Sequence, residues 1–200
     1  MADHDVYAAQ SAFSDPGPWA SRLDAVPGDI AGLARTARQL VFHYRADGDF
    51  AANGVAPERI AEIDTRYAAP MFERLFALDD RPLTSERAPA QRLVGCCRDF
   101  TLLFLAMARH HGIPARARVG FATYFVPGWA LDHAVAEVWD AAAGRWRLVE
   151  AQLRDGFVDR TDNTLLDTLD LPRDRFLTGA RSLVRGRSSS ANRRSNIGAA

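Results

Sequence analysis

Two neighbouring cysteines, a histidine and a glutamate supply the three kinds of group that nucleophilic thiol chemistry requires. Cys97 follows Gly95 and Cys96, at a point where the apolar pattern predicts that a loop becomes a helix. His133 opens an apolar strand downstream, and Glu150 closes the next one. A thiol reacts as its thiolate, so a nucleophilic cysteine needs a base and a third group that orients the base. These residue types therefore predict Cys97 as nucleophile, His133 as base and Glu150 as the orienting acid.

The start of a helix is a favourable place for a reactive thiol. The run from Cys97 to His111 has apolar residues at helical spacing, and Gly112 with Pro114 ends it. Free backbone N–H groups and the positive end of the helix dipole stabilise a thiolate at the first residue, and they can also hold an oxyanion. Cys96 is expected to point elsewhere, as a small buried side chain.

The histidine and the carboxylate are predicted to share one face of a β-hairpin. Residues 133–139 and 146–150 alternate as strands around a short turn, and residues 116–125 form a strand before them. If the turn centres between 141 and 142, Glu150 lies directly across from His133. A register that differs by two residues leaves the pair diagonal and still within reach. The pattern alone does not bring this face to the start of the Cys97 helix.

The region before the cysteines is predicted to be mainly helical. Ile30 to Arg45 has helical spacing, and so has Pro57 to Leu78, which Pro70 is expected to bend or split. Residues 79–93 are polar and predict a loop. Leucines in residues 165–171 predict a short packing segment.

The domain organisation follows from these patterns. We expect an irregular lead-in over 1–28 and a single domain over 29–180, with a helical part over 29–90 and a catalytic core over 90–153. Residues 181–200 hold five arginines and no acidic residue, which predicts a disordered basic tail.

Composition excludes several classes of function. The formal net charge is zero, which argues against a general polyanion binder, and the absence of lysine excludes a Schiff-base lysine. The two cysteines are adjacent and cannot form a disulfide framework. No secretory signal and no bilayer-spanning apolar run are visible, so the expected location is a reducing cytoplasm without membrane association.

Four segments, in this order and spacing, resemble the bacterial transglutaminase-like superfamily: Gly95–Phe100, Gly112–Arg116, Asp132–Trp139 and Trp146–Glu150. The resemblance implies an α+β, papain-like transglutaminase fold, in which a central helix packs on an antiparallel sheet behind a helical N-terminal region. It also implies the same roles for Cys97, His133 and Glu150. The acid of that family is usually aspartate, and Glu150 is one methylene longer.

The chemistry predicted is acyl transfer at an amide through a thioester, with no metal or organic cofactor. Water as the acceptor gives a protease or amidase, and an amine gives cross-linking; the sequence leaves both open. The substrate would be a peptide or protein amide. Gln91 is a candidate for an oxyanion hole, and Tyr124 for the wall of a cleft.

Two alternatives remain open. The first is a non-catalytic binding or scaffold module that keeps the fold. The second is a nucleic-acid binder that acts through the basic tail, although the neutral net charge makes a nucleic-acid partner unexpected.

Overall fold

A helix packed on an antiparallel sheet forms the centre of the chain, as a computed structural model that describes residues 3–178 reveals. The predicted tail of residues 181–200 lies outside the described residues. The α-helices of the described part are α1 (Ile30–Leu40), α2 (Ala68–Leu78) and α3 (Cys97–His110). Its strands are β1 (Val41–His43), β2 (Leu93–Gly95), β3 (Ala115–Ala122), β4 (Leu131–Asp140), β5 (Arg145–Val149) and β6 (Phe176–Thr178). Short 3-10 helices cover Asp5–Ala8, Gly17–Leu23, Ala51–Asn53, Pro57–Asp64 and Pro89–Gln91.

Helix α3 is almost entirely buried, as its apolar pattern predicts. Phe100, Leu103 and Phe104 are all shielded from solvent, and α1 packs against the same helix. The Asp99 carboxylate accepts the backbone N–H of Cys96 at 2.8 Å and so caps the first turn. After the helix, Gly112 adopts a left-handed φ of +70°, which confirms the predicted termination.

The main sheet has four strands in the order β5-β4-β3-β6, and neighbouring strands are antiparallel. The hairpin of β4 and β5 is confirmed, but its register differs by two residues from the direct pairing of His133 with Glu150. Ala136 lies opposite Val149 and Glu137 opposite Leu148, so the ladder extended by one residue would bring Glu150 opposite Val135. The difference arises because the strands stay paired as far as Asp140 and Arg145, so the hairpin turn lies further along the chain. The carboxylate is therefore diagonal to the imidazole, on the same face.

The two faces of the sheet bury different cores. Ala136, Val138 and Val149 face α3 and join the largest cluster of buried apolar residues. Val135 and Leu148 face the other way, into a smaller cluster that also contains Leu166, Leu171 and Phe176. The leucine segment thus packs as predicted, whereas β6 has no counterpart in the sequence prediction. Strand β6 has only three residues and depends on pairing with the distant β3.

A second, parallel pair of strands corrects the first helix prediction. Helix α1 ends at Leu40, not Arg45, and Val41–His43 pairs with Leu93–Gly95. The β-branched Val41 and the aromatic Phe42 suit a strand, and both are buried there. Residues 79–93 are accordingly not all loop, because β2 begins at Leu93.

The second predicted helix is also two elements. A 3-10 helix over Pro57–Asp64 ends before α2 begins at Ala68. Pro70 lies in the first turn of α2, where its missing N–H has no partner to lose, so it does not bend the helix. The split falls before Ala68 instead.

The first residues of the chain are irregular but packed. Leu23 and Val26 are buried in the main core. The Gln10 amide donates to the carbonyl of Ala106 in α3 at 2.8 Å. The fold is thus the predicted α+β arrangement of a central helix on an antiparallel sheet. In residues 3–178 no helix is both long and apolar enough to cross a bilayer.

Candidate active site

Cys97 is the first residue of α3 and lies directly after strand β2. The turn between them is tight: a Cβ on Gly95 would lie 2.9 Å from side-chain atoms of both Asp99 and Val41. Glycine at this position therefore allows the strand to approach the helix closely. Cys97 is partly buried and lines a cleft of about 860 Å³.

The hydroxyl of Thr101 links the start of α3 to the strand that carries the histidine. It lies 3.0 Å from the carbonyl oxygen of Cys97 and 3.1 Å from that of Ala134, which follows His133 in β4. Thr101 is buried, so water does not compete for this contact. The contact holds the helix start against β4, which is the proximity that the sequence alone could not establish.

The environment of Cys97 favours its thiolate. A hydrogen bond from the Cys96 thiol is the main cause that lowers the pKa of Cys97 to about 7. Burial raises this pKa, and hydrogen bonds with the backbone of Ala134 and Arg98 lower it further. The pKa of Cys96 is raised, chiefly by its hydrogen bond to Cys97 and by burial. The expectation that Cys96 points elsewhere is therefore wrong, since both thiols line the cleft. Sequence reasoning treated adjacent side chains as diverging, but Cys96 precedes the helix with extended backbone and is not bound by helical directions.

His133 and Glu150 form a buried pair. The Nε2 atom of His133 lies 2.6 Å from Oε2 of Glu150, and the two side chains are only 5% and 1% exposed. The rings of Phe125 and Phe176 each pack edge-to-face against the imidazole. With Nε2 held by the carboxylate, Nδ1 is the nitrogen left for proton transfer. His133 also lines the cleft that contains Cys97.

Glu150 is fixed by two further hydrogen bonds. The Tyr124 hydroxyl donates to Oε2 at 2.5 Å, and the Gln152 backbone N–H donates to Oε1 at 3.0 Å. Burial opposes ionisation, but the charge and hydrogen bond of His133, together with these donors, lower the pKa of Glu150. The longer glutamate side chain therefore reaches its histidine and remains a carboxylate.

Two of the sequence candidates lie away from the cleft surface. Tyr124 is fully buried behind the His133–Glu150 pair, and burial raises the pKa of its hydroxyl well above the usual value. It supports the acid and does not line the cleft wall. The amide oxygen of Gln91 accepts the backbone N–H of Ala88 at 3.1 Å, and Gln91 is not among the cleft residues. Its loop folds as a 3-10 turn, a path that sequence spacing does not reveal.

His43 is a cleft residue that sequence reasoning missed. It closes strand β1 opposite Gly95, and its ring stacks near Phe100 of α3. Nδ1 accepts the backbone N–H groups of Arg45 and Ala46, both at 3.1 Å. Burial and the nearby charge of His133 lower the pKa of His43, against the opposing charge of Asp47. The ring is therefore neutral at pH 7 and carries its proton on Nε2.

The rim of the cleft combines arginines with apolar side chains. Phe125 and Val126 come from the connection between β3 and β4, and Leu131 is the first residue of β4. Arg45, Arg92, Arg154 and Arg160 come from three other segments. Within residues 3–178, no group of three histidine, cysteine, aspartate or glutamate side chains is arranged to hold a metal ion. The arrangement can form a thiolate, move a proton through an imidazole and hold the resulting cation.

Comparison with known proteins agrees with this geometry. A family model described as the transglutaminase-like superfamily matches residues 78–151, the segment that carries Cys97, His133 and Glu150. No curated protein matches the chain.

Among solved structures, a proposed cysteine protease from Cytophaga hutchinsonii is similar, with a TM-score of 0.51 and 16% sequence identity. The match covers 89% of this chain but 46% of the other, so the chain spans less than half the length of that protein. At this identity the similarity concerns the fold. Residues 78–151 are thus similar to the transglutaminase-like superfamily, and the chain shares its overall fold with that solved structure.

Proposed function

We propose that the chain is a cysteine-nucleophile enzyme that transfers or hydrolyses the acyl group of a peptide or protein amide. One observation carries the proposal: Cys97, with its pKa lowered to about 7, shares a cleft with a histidine held by a buried glutamate. Thiolate, base and orienting acid are the parts that nucleophilic catalysis at a carbonyl needs.

The first step forms a thioester. The Cys97 thiol gives its proton to His133, and the resulting thiolate attacks the carbonyl carbon of the amide while the carbonyl electrons move to oxygen. The C–N bond then breaks as protonated His133 delivers its proton to the leaving amine. Glu150 holds the imidazole and stabilises its cation before the proton is transferred.

The oxyanion has two sources of hydrogen bonds in this proposal. Backbone N–H groups at the start of α3 are the first source, because no preceding helical turn offers carbonyl groups to accept them. The second is Nε2–H of His43, because Nδ1 of that ring is already occupied by two backbone donors. His43 takes the place that the sequence prediction assigned to Gln91.

The second step releases the acyl group. Water or an amine gives a proton to neutral His133 and attacks the thioester carbon, and the C–S bond breaks to restore Cys97. Water yields a carboxylic acid, as in a protease or amidase, and an amine yields a cross-link. Every proton and bond in both steps is provided by the substrate, the acceptor and these side chains.

The proposed partners and location follow from the chemistry. The substrate is a peptide or protein amide, with an amine as the alternative acceptor. Cys96 and Cys97 are both free thiols, which suits the reducing cytoplasm that we predict from the sequence.

A non-catalytic module is the alternative function. It predicts a closed cleft, or a cysteine without an ionising environment. The open cleft that Cys97 and His133 line supports the enzyme instead.

Mass spectrometry of the intact chain tests the proposal. The chain is incubated with a panel of peptide amides, with and without a primary amine, and an acyl adduct on Cys97 is sought alongside the product. We expect an adduct and turnover that Cys97→Ala abolishes and that Cys96→Ala reduces but retains. Turnover by the Cys97→Ala variant, or no adduct with any amide, would contradict the proposal.

A further inference from the structure

Arginines without a carboxylate partner are concentrated around the cleft. Among residues 3–178, the side chains of Arg45, Arg154 and Arg160 have no acidic group within ion-pair distance, and all three line the cleft. Arg92, also in the cleft, donates only to the carbonyl of Arg87. Of the remaining unpaired arginines in this part of the chain, Arg35 lies in an adjoining groove.

The adjoining groove extends the same positive surface. It has a volume of about 500 Å³ and shares Arg38, Arg92, Arg154 and Asp155 with the cleft, and Glu86 also lines it. It contains none of the residues from the connection between β3 and β4. The groove therefore adjoins the part of the cleft that Arg38, Arg92 and Arg154 line, and it does not include the apolar lip of Phe125 and Leu131.

Arginines elsewhere in the described chain are used differently. Buried Glu137 pairs with Arg116, Arg118 and Arg173 at 2.6 to 2.8 Å. Glu62 pairs with two more arginines, Arg59 and Arg74, both at 2.8 Å.

Away from the cleft and groove, Arg109 is the one arginine of residues 3–178 that forms no ion pair. It has no carboxylate partner, but its guanidinium donates to the carbonyl of Ala115 and to Ser14. The chain as a whole has as many acidic as basic residues. The unpaired positive charge at the cleft is thus a local arrangement and does not follow from composition.

The acidic residues of the cleft neutralise this charge only in part. Asp155 pairs with Arg38 at 3.1 Å, and Asp47 accepts the backbone N–H of His43 at 2.7 Å. Asp132 lines the cleft beside His133, on the strand next to the apolar lip. Glu86 adds a fourth carboxylate in the groove, so the lining of the cleft and groove together contains six arginines and four carboxylates.

We infer that the cleft receives an acidic peptide, with glutamate or aspartate side chains next to the amide that Cys97 attacks. This inference rests on the proposed function, because it names the substrate class for the same site. A guanidinium binds a carboxylate through two parallel hydrogen bonds, and unpaired guanidinium groups at the rim need no existing ion pair to be broken first. The apolar lip suits peptide side chains, and the neutral net charge of the chain gives a long nucleic acid no general attraction.

Binding to the full-length Cys97→Ala variant tests the inference without turnover. The probe is a short fluorescent peptide with a central glutamine flanked by glutamates, compared with the same peptide flanked by serines. We expect the acidic peptide to bind about tenfold more tightly at low salt, with a smaller difference at high salt. Arg154→Ala and Arg160→Ala should each weaken the acidic peptide several-fold and leave the serine peptide unchanged.

Arg66→Ala is the matched control, since Arg66 is exposed outside the cleft and pairs with Asp64. Equal affinity for the two peptides, no binding of either, or the same loss with Arg66→Ala would overturn the inference. Competition by a single-stranded oligonucleotide of equal charge that matches or exceeds the acidic peptide would overturn it too. A preference for the acidic peptide without any thioester in the wild-type chain would instead contradict the proposed function alone.

Discussion

The thiol of Cys96 is the largest of the influences that lower the pKa of Cys97. It donates to the sulfur of Cys97 and so favours the thiolate there, while its own pKa rises. In the proposed mechanism the two cysteines are therefore donor and nucleophile. A thiolate is present only above its pKa, so Cys97 should become reactive as the pH rises through about 7.

Replacing Cys96 by alanine should raise the pKa of Cys97 toward the ordinary cysteine value of about 8.5. Alkylation of Cys97 by iodoacetamide at pH 7 should slow by about threefold to tenfold, since fewer thiolates are offset only in part by their greater nucleophilicity. The pH profile of the alkylation rate measures this shift. Cys96→Ser, which keeps a donor, should shift the profile less; an unchanged midpoint in Cys96→Ala would contradict the role.

At the scale of elements, the site depends on the contact between helix α3 and strand β4. Helix α3 carries Cys97 at its first residue. Strand β4 carries His133 near its start, on the face of the sheet that does not pack on α3. Thr101 joins the two by its hydroxyl, close to both reacting side chains. Loss of this hydroxyl should loosen the relative position of Cys97 and His133.

Thr101→Val keeps the shape of the side chain and removes the donor. We expect it to lower the free energy of unfolding by about 1 kcal/mol and to slow acylation of Cys97 by a peptide amide. Thr36→Val is the matched control: Thr36 is also buried, and its hydroxyl makes the same bond one turn back, to Gly32 at 2.9 Å in α1. Urea unfolding and acylation rates should show similar stability losses but an acylation defect only at Thr101. Equal acylation in both variants would contradict the linking role.

Particular elements show how far the sequence predicts this fold. Helix α3 and the hairpin follow from local periodicity, so the three site residues could be found without coordinates. The hairpin register was two residues off because an apolar pattern fixes which face is buried but not where the turn closes. Local periodicity predicts helix for strand β1, because its partner β2 lies about fifty residues away in the sequence. His43 and the cleft arginines were missed because only that non-local pairing brings them beside Cys97.

At the scale of the whole molecule, the irregular N-terminal segment is part of the core that supports the site. Leu23 is fully buried with α1, α2 and α3 residues. The Gln10 amide also bonds to α3. The lead-in of the sequence prediction therefore contributes to stability, although it contains no long helix or strand.

Leu23→Ala should lower the free energy of unfolding by about 2–5 kcal/mol, because it leaves a cavity in the main core. Leu165→Ala removes the same atoms from a side chain that is 72% exposed, and should change it by less than about 0.5 kcal/mol. Chemical denaturation of the two variants measures both values. Equal effects would mean that the N-terminal segment does not pack on the core.

Competitive alkylation of the two cysteines tests the central claim most directly. The wild-type chain and the His133→Ala variant are treated with limiting iodoacetamide at pH 7, and the label on each cysteine is quantified by peptide mass spectrometry. The account predicts that Cys97 reacts at least about tenfold faster than Cys96, and that His133→Ala slows only Cys97. Equal labelling of both thiols, unaffected by the loss of the histidine, would contradict it.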